Sequence, residues 1–482
     1  MIINYENVKI ELPYEILHIE KLHLKGNLNE HYMLSLHALI EEENVEQYLG
    51  ESVEGKQIKL LINENVIYIG KIIEVQISYK KQVAHLNLKT ISYSYNLDIK
   101  RHSKVFSNLK TTYQQVIKEV LNKYTKADFI DNVTYEKCIK DLIVQYKETD
   151  FEFLKRLATH FETVLVVDPK ADASFFTFGI EPIYKAIELD STFREAKTSF
   201  DVFNKISCFT DKDLFEQNFI GWRASGKEYI PLGTEVVYEG QRVCVVKVDM
   251  KIYNGEITYL YELKFLKGII TTYEINSKLK GISLEGMVKN RKNNEMQIHF
   301  CINDSYQDNK DNKWFYYGRE AGNFYTMPEL GSKVHIRFLT GDEKDTIITN
   351  AIRIVEPNAK YYSKILNSKN KSYSTVEGQE LLMTPDNIQI TQDNGKSIQV
   401  DLQKSGDVSI KGGSINIHSS KNIEIGTKKP YIPKKGPLKP TSINISAKNK
   451  VVITRSSSNA VNTSHAIELM EENHLKGTIK LG

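Results

Sequence analysis

The stretch Ser397–Gly426, "SIQVDLQKSGDVSIKGGSINIHSSKNIEIG", decides how this chain is read. Apolar residues come in pairs with one residue between them: Ile398/Val400, Val408/Ile410, Ile415/Ile417 and Ile423/Ile425. Gly, Ser, Asn, Asp and Lys fill the gaps. A further pair, Ile388/Ile390, precedes these, and the pairs start at steps of 10, 10, 7 and 8 residues. A spacing of two puts both members on one face of a short strand, and the polar, glycine-bearing gaps read as turns. The series resumes at Ile443/Ile445 and Val451/Ile453, then less regularly at Ile467/Leu469 and Ile479/Leu481. Between them, residues 428–440, "KKPYIPKKGPLKP", hold four prolines. Proline cannot donate to a strand ladder, so this segment reads as a loop bulging from the sheet.

Strands this short offer only two inward side chains each. One such chain alone cannot offset the roughly 1–2 kcal/mol per residue that backbone ordering costs. A single-chain β-helix with coils of about 20 residues would carry two or three strands per coil, and the pitch here is too short for that. Three chains wound about one axis solve the problem, with the Ile/Val pairs pointing at the axis. The expectation is a homotrimer whose C-terminal part is a narrow, rigid prism.

Outward from this stretch, the 482 residues suffice for about three domains at roughly 100–200 residues each. Hydrophobic content of 41% with 26% charged residues fits a globular protein. No apolar run approaches the roughly 18 residues of a membrane span, and "MIINYENVKIELPYEI" lacks the basic and apolar regions of a secretory signal. The four cysteines, Cys138, Cys208, Cys244 and Cys301, lie far apart without a CxxC, so buried free thiols are expected rather than zinc or disulfides. From Lys396 onward 14 Lys/Arg face 6 Asp/Glu. No Arg/aromatic stacking pattern accompanies this charge, so it reads as a solvated face and not as a nucleic-acid site.

Residues 1 to 100 read as strands, among them "NVKIEL", "QIKLLI", "NVIYIGKIIEVQISY" and "HLNLKTISYSYNL". Two short helices follow. "TTYQQVIKEVLNKY" places Val116, Val120 and Leu121 on one face; "ETDFEFLKRLATHF" opens with Thr149 and Glu152 at capping-box spacing and carries Phe153, Leu154, Leu157 and Phe161 as its stripe. Strands resume through Leu266. About five more, from "LEGMVKN" to "TIITNAI", suit a small OB-like barrel, with Val334, Ile336 and Phe338 alternating inward.

At this point the chain resembles the VgrG-type central spike proteins of contractile injection systems: type VI secretion, phage tails, tailocins and extracellular injection particles. "YKETDFEFLKRLATHF" (Tyr146–Phe161) matches that family's "Y.ESDF.FL.RL....G" through Tyr146, Asp150, Phe151, Phe153 and Leu154. "MPELGSKVHIRFLTGDEKD" (Met327–Asp345) matches "PE.GDEV.V.F..GD...P" through Pro328, Glu329, Gly331, Gly341 and Asp342. Two departures stand out: Glu162-Thr163 replace the glycine and aromatics that usually follow the helix, and the proline after "GD" is missing.

The resemblance implies a mainly β fold and four segments: 1–275, a tail-hub-like domain of two β-barrels with short helices; 280–356, an OB-fold domain; 357–384, a connector; and 385–482, an intertwined triple-stranded β-helix needle. It implies a membrane-puncturing spike that docks a hexameric inner tube protein and baseplate proteins at the hub. A PAAR-type tip protein would sit on the needle end, at Ile479, Leu481 and Gly482, with effector cargo and a target cell envelope as further partners. Such a protein is made in the cytoplasm without a signal peptide, assembled into the particle and expelled on contraction.

The rivals are a trimeric β-helical tailspike or adhesin that binds surface polysaccharide, and a cell-wall-degrading enzyme. From Asp386 onward Tyr431 is the only aromatic residue, against sugar stacking. The connector is too short for a catalytic domain, the strand pattern persists to "KGTIKLG", and no GxSxG, HExxH or GxxxxGK[ST] occurs. The carboxylates of "EEENVEQ" (Glu41–Gln47) and "KETDFE" read as solvated charge and helix capping. His18, His23, His31 and His37 are irregularly spaced, and no HxH marks a tip iron site. The expectation is a non-enzymatic protein without catalytic residues, metal or cofactor.

Overall fold

The structure is a computed structural model and describes residues 7–45, 52, 54–80, 83–180, 187–191, 194–210, 213–253, 255–304, 310–318, 326–352, 366–375, 377–393, 397–416, 450–453 and 467–470. It is mainly β, as expected, and divides into two compact units, Met1–Ile354 and Val355–Gly482.

The hub region runs β1 (Val8–Glu11), β2 (Ile16–Asn27), β3 (Met33–Ile40), β4 (Gln57–Ile62), β5 (Asn65–Lys80), β6 (Val83–Ser92) and β7 (Arg101–Phe106). Next come α1 (Tyr113–Leu121), β8 (Asp128–Asp131), β9 (Ile143–Thr149), α2 (Asp150–Thr159), β10 (Leu165–Val167) and β11 (Phe175–Phe178). It ends with β12 (Ile187–Glu188), β13 (Arg194–Thr198), α3 (Phe200–Ser207), β14 (Ile220–Gly226), β15 (Glu235–Tyr238), β16 (Gln241–Tyr253) and β17 (Glu256–Lys264).

Period-two sequence decides the inner face. Leu34, Leu36, Ala38 and Ile40 of β3 lie beside Ala84, Leu86 and Leu88 of β6, all buried in one core. Burying each larger side chain contributes about 1.5–3 kcal/mol. The two barrels expected in this region are not separate sheets. One sheet runs β1-β4-β5-β6-β3-β2-β16-β17-β14-β13, with β15 beside β16 and β12 beside β15. The halves are joined where β2 pairs with β16, Leu24 opposite Met250, because both strands turn their apolar faces into the same core.

The strand read through "SYSYNL" stops at Ser92, and Tyr93–Asp98 form a 3-10 turn. Serine hydroxyls offer the backbone local partners there: Ser92 Oγ accepts from the Tyr32 amide, and Ser94 Oγ contacts Ser92 Oγ and the His31 ring. The cysteine expectation also changes. Only Cys244, inside β16, is buried. Cys138, Cys208 and Cys301 are exposed because they sit beyond element interiors: Cys208 caps the end of α3, and Cys301 follows the strand that ends at Phe300.

The barrel comprises β18 (Ser283–Lys292), β19 (Glu295–Phe300), β20 (Trp314–Tyr316), β21 (Lys333–Phe338) and β22 (Thr346–Ile352), in the order β20-β19-β18-β21-β22. A parallel bridge from Tyr317 to Ile348 brings the two edges together. Val334, Ile336 and Phe338 are fully buried in its core, as their alternation demands.

In the C-terminal unit, β23 (Lys371–Ser374), β24 (Glu380–Met383), β25 (Asn387–Gln392), β26 (Ile398–Gln403) and β27 (Val408–Lys411) form one antiparallel meander, in chain order. The first two of these strands lie inside the segment read as a connector, 357–384. "KSYS" looks like a polar linker and "ELLM" has no alternation, so neither announces a strand. β28 (Lys450–Ile453) and β29 (Ile467–Met470) pair with Val451 opposite Leu469 and Ile453 opposite Ile467. Ile415 is described but lies outside any strand, after Gly412-Gly413. Ile417, Ile423, Ile425, Ile443, Ile445, Ile479, Leu481, Gly482 and the proline loop 428–440 lie outside the described residues.

Candidate functional site: the hub–barrel joint and an uncovered apolar sheet

The two sequence motifs converge on one place. Thr149 begins α2 with the expected capping box: its Oγ1 accepts from the Glu152 amide at 3.0 Å, and Glu152 Oε2 accepts from the Thr149 amide at 3.0 Å. The helix buries Phe151, Phe153, Leu154 and Leu157, and Arg156 among them. The Phe151 ring lies 4.1 Å from that of His31, centroid to centroid.

Arg156 is the centre of the joint. Its Nε and Nη2 donate to the two carboxylate oxygens of Glu148 at 2.9 and 3.0 Å. Nη2 also donates to the Val144 carbonyl at 2.7 Å, and Nη1 donates to Glu343 Oε1 at 2.6 Å. All three side chains are buried. Burial works against the arginine's charge, but Glu343 and Glu148 outweigh it and raise its pKa. Burial pushes the Glu343 carboxyl above the usual range, and Arg156 pulls it partly back.

Asp150 is also fully buried. It accepts from Tyr124 Oη at 2.6 Å, Gln145 Nε2 at 2.7 Å and Lys123 Nζ at 3.1 Å. The carboxylates of "KETDFE" thus correct the expectation of solvated charge: Glu152 caps a helix, but Glu148 and Asp150 are buried and paired. An ionised carboxylate survives burial only with such partners. Tyr146 packs against the barrel core, and its carbonyl accepts from Asn276 Nδ2 at 3.0 Å.

The second motif supplies the other side. Gly331 (φ +79°) closes a turn in which the Ser332 amide donates to Glu329 O at 3.0 Å. Glu329 pairs with Arg291 at 2.8 Å, and the Pro328 carbonyl accepts from Arg291 at 3.2 Å. A Cβ on Gly341 would stand 3.0 Å from the Asn276 carbonyl, so the backbone needs glycine there. Asp342 Oδ1 accepts from the Lys344 amide at 3.0 Å and shapes the loop that presents Glu343.

Sequence reasoning missed Arg156, Glu148 and Glu343. Two signals were present: the resembled pattern carries E and R at the places of Glu148 and Arg156, and Arg156 interrupts the apolar stripe between Phe153 and Leu157. Its partner Glu343 lies 187 residues away, which no local pattern reveals.

The C-terminal sheet carries the second candidate site. Its register builds two apolar rows on one face: Tyr373–Leu381–Ile390–Val400–Ile410, and Met383–Ile388–Leu402–Val408. The other face is mostly polar, with Glu380, Gln389, Thr391, Gln399, Asp401 and Ser409. Exposure is inverted from that of a soluble sheet. Ile390, Val408 and Ile410 are 49%, 63% and 54% exposed, while Gln389 and Thr391 are half-buried. Ile388, Ile398 and Ile415 are likewise exposed, and Val400 is half-buried. Leu381, Met383 and Leu402 belong to this face and were not singled out; Leu402 merely continues the alternation of Ile398 and Val400.

Among the described residues no group of three or more His, Cys, Asp or Glu could hold a metal ion, and no helix is long and apolar enough to cross a membrane.

No protein-family model matches the sequence, and no curated protein matches it. Solved structures do match. The E. coli c3393 protein, described as a component of the type VI secretion system with structural similarity to T4 bacteriophage tail proteins gp27 and gp5, has a TM-score of 0.53 at 12% identity, over 72% of this chain and 99% of its own. A half-lidded Francisella PdpA–VgrG complex has a TM-score of 0.51 at 8% identity, over 84% of this chain and 87% of its own. A lidless PdpA–VgrG complex has a TM-score of 0.51 at 8% identity, over 82% of this chain and 93% of its own. The likeness is one of fold: this chain has the VgrG-like, phage-tail-spike architecture that its motifs resemble.

Proposed function

We propose that the chain is the central spike of a contractile injection apparatus and that it works as a homotrimer. The observation that carries this reading is the uncovered apolar face of the C-terminal sheet, on a chain with the VgrG-like fold. Contiguous apolar surface of this kind marks an interaction site. Three copies about one axis would turn three such faces inward and leave the polar faces outside. At the level of β23–β27 each chain then supplies one whole face of a prism, because its strands already pair with one another.

In this reading the hub docks a hexameric inner tube protein and baseplate proteins, and the needle end carries a PAAR-type tip protein. Contraction drives tube and spike, with effector cargo, through a target cell envelope, and the protein leaves the cell as part of the particle. Its role is mechanical and non-enzymatic.

Mass photometry tests the assembly: three chain masses at micromolar concentration are expected, and a stable monomer overturns it. Two cysteine pairs on the polar face test the arrangement. Cα partners in an antiparallel ladder lie about 4.5–5.5 Å apart, within disulfide reach. Gln389→Cys with Asp401→Cys, and Gln399→Cys with Lys411→Cys, should oxidise within one chain. Dimers on a non-reducing gel would show strands pairing between chains instead. A zymogram that clears peptidoglycan would refute the non-enzymatic reading.

A further inference from the structure

We propose that the hub region and the barrel are a single cooperatively unfolding body, with no hinge at the linker between them. Three independent features carry this. The first is the two-stranded sheet β7–β9, where Val105 faces Val144 and Phe106 faces Ile143. Phe106 and Ile143 are buried in the hub core, while Val105, Leu142 and Val144 are buried in the barrel core. One sheet therefore serves both cores, its alternate residues turned to opposite sides. Neither core is complete without it.

The second feature is the free edge of β7. Asn303 of the barrel region donates from Nδ2 to the Val105 carbonyl at 2.7 Å, and its Oδ1 accepts from the Val105 amide at 2.9 Å. A side-chain amide thus stands where a neighbouring strand would. The Lys313 amide donates to Ser107 O at 2.8 Å, and the Leu109 amide to Asp311 O at 3.0 Å, extending the seam.

The third feature is the linker that follows β17. It is laced along the α2 segment: Thr271 Oγ1 donates to Thr163 O at 2.9 Å, the Glu274 amide to Thr159 Oγ1 at 3.0 Å, and Lys278 Nζ to Lys147 O at 2.9 Å. Leu279, at its end, is fully buried in the barrel core. Independent domains have self-contained cores and few contacts across an exposed linker. Here the cores are shared and the linker is tied, so opening one half exposes the other. Thrust applied to the hub would pass to the barrel without bending.

Hydrogen exchange of the full chain in rising urea, read by mass spectrometry, tests this. Peptides covering β3 and β21 report the two halves. In the unaltered protein both should lose protection at one urea midpoint. Val120→Ala touches the hub core, and Ile336→Val touches the barrel core; each should lower both midpoints together. If the Val120→Ala protein does not fold, Ile117→Val gives the same reading. Separate midpoints in the unaltered protein, or a shift confined to the altered half, overturns the proposal.

Discussion

Arg156 and Glu343 meet 2.6 Å apart although 187 residues separate them, and both are buried. Arg156 serves two carboxylates, whereas each carboxylate has this one guanidinium, so the pair is asymmetric. Arg156→Met would leave Glu148 and Glu343 buried without their counter-charge. A loss of about 3–5 kcal/mol is expected. Glu343→Gln keeps an acceptor for Nη1 and leaves Glu148 paired, so a loss near 1 kcal/mol is expected. Urea unfolding of the two variants should separate them clearly; equal losses would refute the asymmetry.

Acid should weaken the hub through two histidines. Burial, helped by the charges of Arg156 and Lys344, holds His160 down to about 3. Burial holds His31 down to about 4, with Asp98 pulling it partly back. Both lie below the ordinary 6.5, so between these values the unfolded chain takes up protons that the folded chain refuses. The stabilisation is complete above pH 6.5 and drains as the pH falls. From pH 7 to pH 5 each ring should cost about 1–2 kcal/mol. Urea midpoints across this range should fall, and the double variant His31→Gln with His160→Gln should fall less.

Glu162 stands where the resembled family has glycine after the helix, and its φ is +53°. This is the left-handed position that ends many helices and that side chains other than glycine adopt at a cost. Glu162→Gly should therefore stabilise the protein by about 0.5–1 kcal/mol, even though glycine raises the entropy of the unfolded chain. Calorimetry showing a lower Tm would contradict this.

The two faces of the C-terminal sheet should respond oppositely to charge. In the proposed trimer, Ile410→Asp would bury like charges where three apolar faces meet and should abolish assembly at a cost of several kcal/mol or more. Ser409→Asp lies on the polar face and should assemble normally. Mass photometry of both reads the outcome; a trimeric Ile410→Asp protein would place the apolar rows elsewhere.

Local patterns made much of this legible. The capping box of α2, the inward alternation of Val334, Ile336 and Phe338, and the Ile/Val pairs all act over a few residues, and local spacing reports them. Strand pairing was less visible. Nothing local says that β2 adds to β16, or that "KSYS" and "ELLM" are strands, because a sheet is completed by neighbours distant in sequence.

The sequence by itself determined which face is apolar in the elements it announced and that α2 starts after Thr149, and its short C-terminal strands raised the expectation of partner chains. Tertiary structure alone decided what those faces meet. It set Arg156 between Glu148 and Glu343, gave β7 and β9 to two cores at once, and aligned Ile390, Val400 and Ile410 in one row. The reason is physical: periodicity is local, whereas burial, ion pairing and register depend on which distant segments share a space.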